Sequence, residues 1–228
     1  MPSIVETPDS AELATIALQP VPVSGFRVLP GFLDRNQQGR LVAELRAAVS
    51  VAVFFVPTMP RTGKPFSVRM INLGPLGWVS DKERGYRYQP THPETGKSWP
   101  PIPELVLDVW RKVSAYPADP EACLVNRYEP TAKMGLHQDR DEEEFAAPVV
   151  SISLGDTCLF RIGGTKRNDP TRSFKLSSGD VMVLGGDHRL AFHGVDRLYP
   201  GTSTLLSGWF PEGGRLNLTL RRVTKPAR

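Results

Sequence analysis

"RLNLTLRR", Arg215–Arg222, alternates without a break: Arg215, Asn217, Thr219 and Arg221 fall on one side, and Leu216, Leu218 and Leu220 on the other. A period of two is the mark of a β-strand, whose successive side chains point to opposite faces of a sheet. Read alone, the strand suits the surface of an antiparallel sandwich, with leucines inward and charges outward. It suits equally a strand whose polar face lines a ligand site. Two guanidiniums and an amide on one face make a receptor for a small dicarboxylate, because the planar guanidinium grips a carboxylate through two parallel hydrogen bonds.

Working back from this strand, the chain keeps the same texture as far as Cys123. "ACLVNRY", "VVSISL", "TCLFRI", "RSFKL", "DVMVLGG" and "RLAFHGV" are short apolar runs separated by Gly, Asn, Asp and Pro. That pattern predicts an antiparallel sandwich or small barrel of the jelly-roll kind. Ahead of it stand two helix signals. Asp34 with Gln37 three residues on reads as a cap with its reciprocal partner, and Leu41, Val42, Leu45, Ala48 and Val49 recur at helical spacing. After "WPPIP", residues Ile102, Leu105, Val106, Val109 and Val113 form a second apolar stripe. Between the helices, "INLGPLGWVSDKERGYRYQP" reads as an irregular, aromatic, glycine-rich segment. The expected organisation is a loose tail over residues 1–20 and one compact unit over 21–228. Within that unit, helices and the aromatic segment occupy 21–120 and a β-rich core occupies 121–228, giving a mainly β fold with flanking helices (α+β).

Composition sets the outer limits. A chain of 228 residues fits one ample core. Hydrophobic and charged fractions of 40% and 23% exclude a mostly disordered chain. A net charge of +4 is compatible with a polyanionic partner without requiring one. More telling is "RIGGTKRNDPTRSFK", Arg161–Lys175, where basic residues outnumber the single acid Asp169; it reads as a phosphate-contacting run or as an exposed basic hairpin. Cys123 and Cys158 both sit in apolar strings, as buried reduced thiols do in a cytosolic protein. No basic residue precedes Arg27, and "VSVAVFFV" is far short of the ~20 residues of a membrane span. The expectation is a cytoplasmic monomer with no membrane association.

The chemistry-bearing stretch is "LHQDRDEEEF", which begins at Leu136. His137 and Asp139 lie two apart and face the same way in an extended segment, which is half a chelate. A third ligand has to come from His92, His188 or His193; His193 closes the apolar strand "RLAFHG", whose neighbours turn it inward, whereas His92 lies in a proline-flanked loop and His188 beside a turn. Two imidazoles and one carboxylate leave one face of a metal open, the arrangement of non-haem iron(II) oxygenases. No set of four ligands for closed structural zinc is apparent. Asp141 to Glu144 read as a solvated acidic loop. Asn126 and Tyr128, also two apart, put further polar groups on one face just ahead of the His-x-Asp turn.

Taken together and in order, "NRYEPTAKMGLHQDRDE", "APVVSISLGD", "GGTKRNDP", "GDVMVLGG", "RLAFHGV" and "RLNLTLR" resemble the AlkB-type alkylation-repair dioxygenases, which use iron(II), 2-oxoglutarate and O2. "INLGPLGW" and "GYRY" extend the likeness upstream. The resemblance implies a double-stranded β-helix with an N-terminal nucleotide-recognition lid. It implies that His137, Asp139 and His193 ligate iron, and that Arg215 pairs with the distal carboxylate of 2-oxoglutarate, helped by Tyr128 and Asn217. Asn126 and Arg221 would stand near its chelating end. Trp78, Tyr86 and Met70 would belong to the base site, Asp141 would stand beside the alkylated ring, and Glu142 to Glu144 would face solvent. Lys166, Arg167 and Arg172 would meet phosphates. Two positions depart from the pattern. The stretch from Trp78 to Tyr86 is one residue longer than in bacterial members, leaving Tyr88 as an alternative to Tyr86, and Leu184 stands where some members carry an aromatic.

The implied activity is oxidative demethylation of N-alkylated bases of the 1-methyladenine and 3-methylcytosine type in nucleic acid, releasing formaldehyde, succinate and CO2. Two other functions fit part of the pattern. A 2-oxoglutarate oxygenase acting on a protein or small molecule shares the metal and arginine sites but has no use for the lid aromatics or basic hairpin. A non-catalytic, cupin-like metal-binding module has no use for Arg215 with Arg221.

Overall fold

The computed structural model describes residues 25–226; the tail expected over residues 1–20 lies outside them. Twelve strands and two helices follow in the order β1 (Phe26–Leu29), α1 (Arg35–Val51), β2 (Arg69–Leu73), β3 (Gly77–Asp81), β4 (Gly85–Gln89), α2 (Glu104–Val113), β5 (Ala122–Tyr128), β6 (Met134–His137), β7 (Val149–Gly155), β8 (Thr157–Ile162), β9 (Arg172–Leu176), β10 (Val181–Leu184), β11 (His193–Tyr199) and β12 (Arg215–Arg221). Six strands form one sheet in the order β1-β10-β7-β12-β5-β2, four form a second in the order β6-β11-β8-β9, and β3 with β4 make a separate hairpin. All the pairings are antiparallel.

Both helices begin and run as their residues dictate. Asp34 and Gln37 close a reciprocal capping box at the start of α1, an arrangement worth about 1 kcal/mol. Leu41, Val42 and Leu45 turn its apolar side into the core, where they join Val106, Val109 and Trp110 of α2. The thiols of Cys123 and Cys158 are buried and unpaired. Burial pushes Cys123 up to about 12, so it is protonated and inert at neutral pH.

The sandwich-surface reading of β12 is overturned. Its leucines are fully buried, yet Arg215, Thr219 and Arg221 on the opposite face are buried as well. The reason is topological: β12 lies between β7 and β5 in the middle of the larger sheet. One face of that sheet packs on the core with the helices, and the other lines a cavity shared with the smaller sheet. The same division runs along β7, where Val150, Ile152 and Leu154 belong to the core while Ser151 lines the cavity.

Two other expectations are corrected. The segment read as irregular contains most of β2 and all of β3 and β4. Its order comes from Asn72, a fully buried amide on β2 that donates from Nδ2 to the Trp78 carbonyl (2.9 Å) and accepts the Trp78 amide on Oδ1 (3.0 Å), so a side chain does the work of a missing ladder. And His193 opens β11 rather than closing a strand, because Arg189 and its neighbours follow a 3-10 turn, Gly186–His188, and turn aside to bond other segments. The basic run, by contrast, is the β8–β9 hairpin, with Ile162 opposite Arg172.

Candidate active site

A cavity of about 600 Å³ opens between the two sheets under the β3–β4 hairpin. The residues expected to meet metal, dicarboxylate or base all line it, with Arg167 from the basic run: His137, Asp139, His193, Asn126, Tyr128, Arg215, Asn217, Arg221, Trp78, Tyr86, Asp141 and Met70.

The candidate metal-ligand set is assembled from β6, the loop after it, and β11. His137 and His193 face each other across the β6–β11 ladder, which brings two residues 56 positions apart in sequence into register. Ligand atoms of His137, Asp139 and His193 lie within 4.8 Å of one another. Each imidazole donates its Nδ1 proton to a backbone carbonyl, His137 to Gly135 and His193 to Ala191, both at 2.9 Å. That fixes the tautomer and leaves each Nε2 lone pair facing Asp139, at 3.8 Å from Oδ1 for His137 and 3.9 Å from Oδ2 for His193. Asp139 Oδ2 is buried without a hydrogen-bond partner. An orphaned carboxylate oxygen between two bare imidazole nitrogens fits a divalent cation and leaves the rest of its coordination sphere to the cavity.

The charges are set to match. Burial would raise the Asp139 carboxyl, but Arg221 at 2.9 Å, with Arg189 behind it, outweighs it and holds the group below its ordinary range. Burial, reinforced by His137, lowers His193 from 6.5 to about 4, against the pull of Asp139. His193 is therefore neutral and ready to ligate at physiological pH. Since its folded value lies below its unfolded one, the unfolded chain binds the extra proton between these values, and stability falls as pH drops from 6.5 towards 4. In chelator, the Tm should fall over that window, and His193→Asn should flatten the slope there; an unchanged slope in the variant would refute the assignment.

Arg215 is 1% exposed. Its Nη2 donates to Ser153 Oγ at 2.6 Å, Nη1 makes only long contacts to the Asp156 and Leu176 carbonyls (3.4 and 3.5 Å), and Nε has no partner. A buried guanidinium bonded only to neutral oxygens is an unbalanced charge, which is costly unless an anion completes it. Tyr128 and Asn217 stand next to it on the same wall, Tyr128 directly opposite Arg215 on β5. Asn126, opposite Asn217, has an unsatisfied buried Oδ1. A dicarboxylate lying from Arg215 towards the His-Asp-His set would complete the guanidinium and run past Tyr128, Asn217 and Asn126 on the same wall.

At the mouth, Trp78 and Tyr86 stack with ring centroids 5.5 Å apart, and the Trp78 indole donates to Asp141 Oδ2 at 2.8 Å. Tyr86 lines the cavity, and Tyr88 turns instead to Glu142. Arg167 lies at the rim over Phe192, while Lys166 and Arg172 stay outside the cavity. Leu184 occupies the cavity wall beside Met182.

The acidic run is not a solvated loop. Asp141 and Glu143 are exposed, but Glu142 and Glu144 are buried, Glu142 between Arg189 and Arg221 and Glu144 accepting the Ala146 amide. Arg189 is the residue whose signal was there to read: a lone charge in the apolar string "HRLAFHG" calls for a buried counter-charge. His92 is excluded as a ligand by its own bonds, with Nε2 donating to the Val53 carbonyl and the ring packed against Phe55 and Trp99. His188 stands at the 3-10 turn, away from the ligand set.

Residues 25–221 match the family model of the 2OG-Fe(II) oxygenase superfamily. The chain is 55% identical over 203 residues to the alpha-ketoglutarate-dependent dioxygenase AlkB homolog of Caulobacter vibrioides, covering 88% of this chain and 89% of that protein. It is 40% identical over 194 residues to the alpha-ketoglutarate-dependent dioxygenase AlkB of Escherichia coli K12, covering 83% and 87%. Among solved structures, that of OsALKBH1 superposes with a TM-score of 0.70 at 34% identity, covering 87% of this chain and 98% of the other.

Proposed function

We infer that this chain, which belongs to the AlkB-type dioxygenases of the 2OG-Fe(II) oxygenase superfamily, oxidatively demethylates N-alkylated bases in nucleic acid. It is an oxidoreductase that uses iron(II), 2-oxoglutarate and O2. The observation that carries the substrate reading is the pairing, in one cavity, of the His-Asp-His set and the unbalanced Arg215 with a hydrogen-bonded aromatic and carboxylate, Trp78 and Asp141, at the mouth. We read the two larger sheets as a double-stranded β-helix and the β3–β4 hairpin as the nucleotide-recognition lid of a monomeric enzyme.

In this reading His137, Asp139 and His193 hold the iron, which supplies the oxidising power that converts an N-alkyl C–H into C–OH as 2-oxoglutarate becomes succinate and CO2. Everything else is done by the protein. Arg215, with Tyr128 and Asn217, anchors the far carboxylate, and Asn126 and Arg221 orient the near end. The mouth takes a base turned out of its stack, held against Trp78 and Tyr86 beside Met70, with Arg167 near the backbone phosphate. A base methylated on its pairing nitrogen is cationic near neutral pH, and the Asp141 carboxylate favours it over the neutral base. After hydroxylation the hemiaminal C–N bond breaks without further help, freeing formaldehyde and the normal base.

The test is incubation with iron(II), ascorbate, 2-oxoglutarate and an oligonucleotide carrying 1-methyladenine or 3-methylcytosine, following base mass and succinate. Loss of the methyl mass with matching succinate is expected. Succinate without demethylation would point to a protein or small-molecule substrate, and neither product to a binding module. Asp141→Asn should narrow the preference for 1-methyladenine over unmethylated oligonucleotide by about tenfold, the order expected for one partly screened charge at ~4 Å; competition binding measures it, and an unaltered preference would remove Asp141 from the base site.

A further inference from the structure

We propose that Glu142 is a positioning residue, a single carboxylate that joins the β3–β4 hairpin to the metal-ligand loop, so that nucleic acid bound at the hairpin and metal bound at His137, Asp139 and His193 strengthen one another. This rests on the functional reading above and asks how its two halves communicate.

The Glu142 side chain is 1% exposed and has three partners. Its Oε2 accepts from Arg189 Nη2 at 3.1 Å, its Oε1 lies 3.3 Å from Arg221 Nε, and the same Oε1 accepts the Tyr88 hydroxyl. Both arginines continue to Asp139. Arg221 Nη2 donates to its Oδ1 at 2.9 Å, and Arg189 Nη1 donates to its backbone carbonyl at 2.6 Å. The metal-ligating aspartate is thus held at its carboxylate and at its backbone by two guanidiniums that share one counter-charge. Two buried cations and two buried anions balance, and withdrawing Glu142 would leave the arginines contending for Asp139 alone.

The remaining partner belongs to the lid. Tyr88 stands opposite Trp78 on the hairpin, and Trp78 is bonded to Asp141. The hairpin is a sheet of its own, and it is tied to the residues just after Asp139 by these two bonds, at positions 141 and 142. A base that draws the hairpin inward therefore pulls on a loop that carries Asp139 two and three residues before the bonded positions. Such coupling is reciprocal: what metal does for the oligonucleotide, the oligonucleotide does for metal, typically by ~5-fold or more.

The experiment measures the Kd of a fluorescent 1-methyladenine oligonucleotide without metal and with manganese(II) plus 2-oxoglutarate, a pair that binds without turnover. In the wild type, metal should tighten binding by about 5-fold or more. Tyr88→Phe deletes one hydroxyl and leaves both arginines paired; the tightening should fall below about twofold while the metal-free Kd stays within about twofold. Glu142→Gln should do the same and also weaken manganese binding measured without oligonucleotide. Should Glu142→Gln not fold, Tyr88→Phe decides alone, since a merely structural hydroxyl would shift Tm and leave the metal effect intact. Full metal-dependent tightening in Tyr88→Phe, or none in the wild type, overturns the proposal. Failure of the functional reading looks different: the wild type would bind methylated and unmethylated oligonucleotides alike.

Discussion

Asp139→Ala is expected to lower both demethylation and succinate release by more than about 10³-fold, because in the proposed function it removes the one anionic ligand of the metal that would supply the chemistry. The fold should survive. Arg221, which loses its closest partner, still has Glu142 Oε1 at 3.3 Å, so its charge is not stranded. The outcome is measured as formaldehyde and succinate per enzyme, with a manganese titration and a melting curve alongside. Activity within tenfold of the wild type in a folded variant would end the ligand assignment. Asp139→Asn sharpens the test, since it keeps a hydrogen-bond acceptor for Arg221 and removes the charge, and it should be almost as inactive.

Arg215→Met is expected to raise the KM for 2-oxoglutarate by ~30-fold or more, the lower end of the about 2–5 kcal/mol that accompanies loss of one member of a buried charge pair. Its second consequence runs the other way. Arg215 in the ligand-free protein is a buried cation satisfied mainly by Ser153, and replacing such a group by an apolar side chain of similar volume is often neutral or stabilising. The ligand-free Tm should hold or rise while affinity collapses. Arg215→Lys should not restore binding, because a point charge lacks the fork that meets both carboxylate oxygens. A variant with normal KM, or one that loses Tm and affinity together, would make Arg215 a structural residue.

The fold was legible where a residue pattern has a single physical meaning. Alternation in "RLNLTLR", the apolar runs after Cys123 and the Asp34–Gln37 box each predicted an element that is present. What failed did so for reasons outside local pattern. The direction of the polar face of β12 depends on a second sheet lying over it, which alternation cannot reveal. The hairpin carrying Trp78 and Tyr86 is ordered by Asn72, a single amide with no periodic trace. Glu142 was read as a surface glutamate because its partners, Arg189 and Arg221, lie 47 and 79 positions further along. The core of the site was more legible than its surroundings, since metal and dicarboxylate ligation call for particular residue types, whereas the groups that orient them are chosen by geometry alone.

The placement of β12 has a consequence for where this molecule tolerates error. Its polar row sits on the strand that is hydrogen-bonded on both sides at the centre of six, whereas the aromatic pair rides on two strands that share no ladder with either larger sheet. Local opening costs most where the backbone is anchored on both flanks and least at isolated ribbons. In the proposed reading the far carboxylate of 2-oxoglutarate is thus gripped by a strand anchored on both flanks, while the base would be met by a separate ribbon, so a misfit can be turned away at the door without loosening that grip.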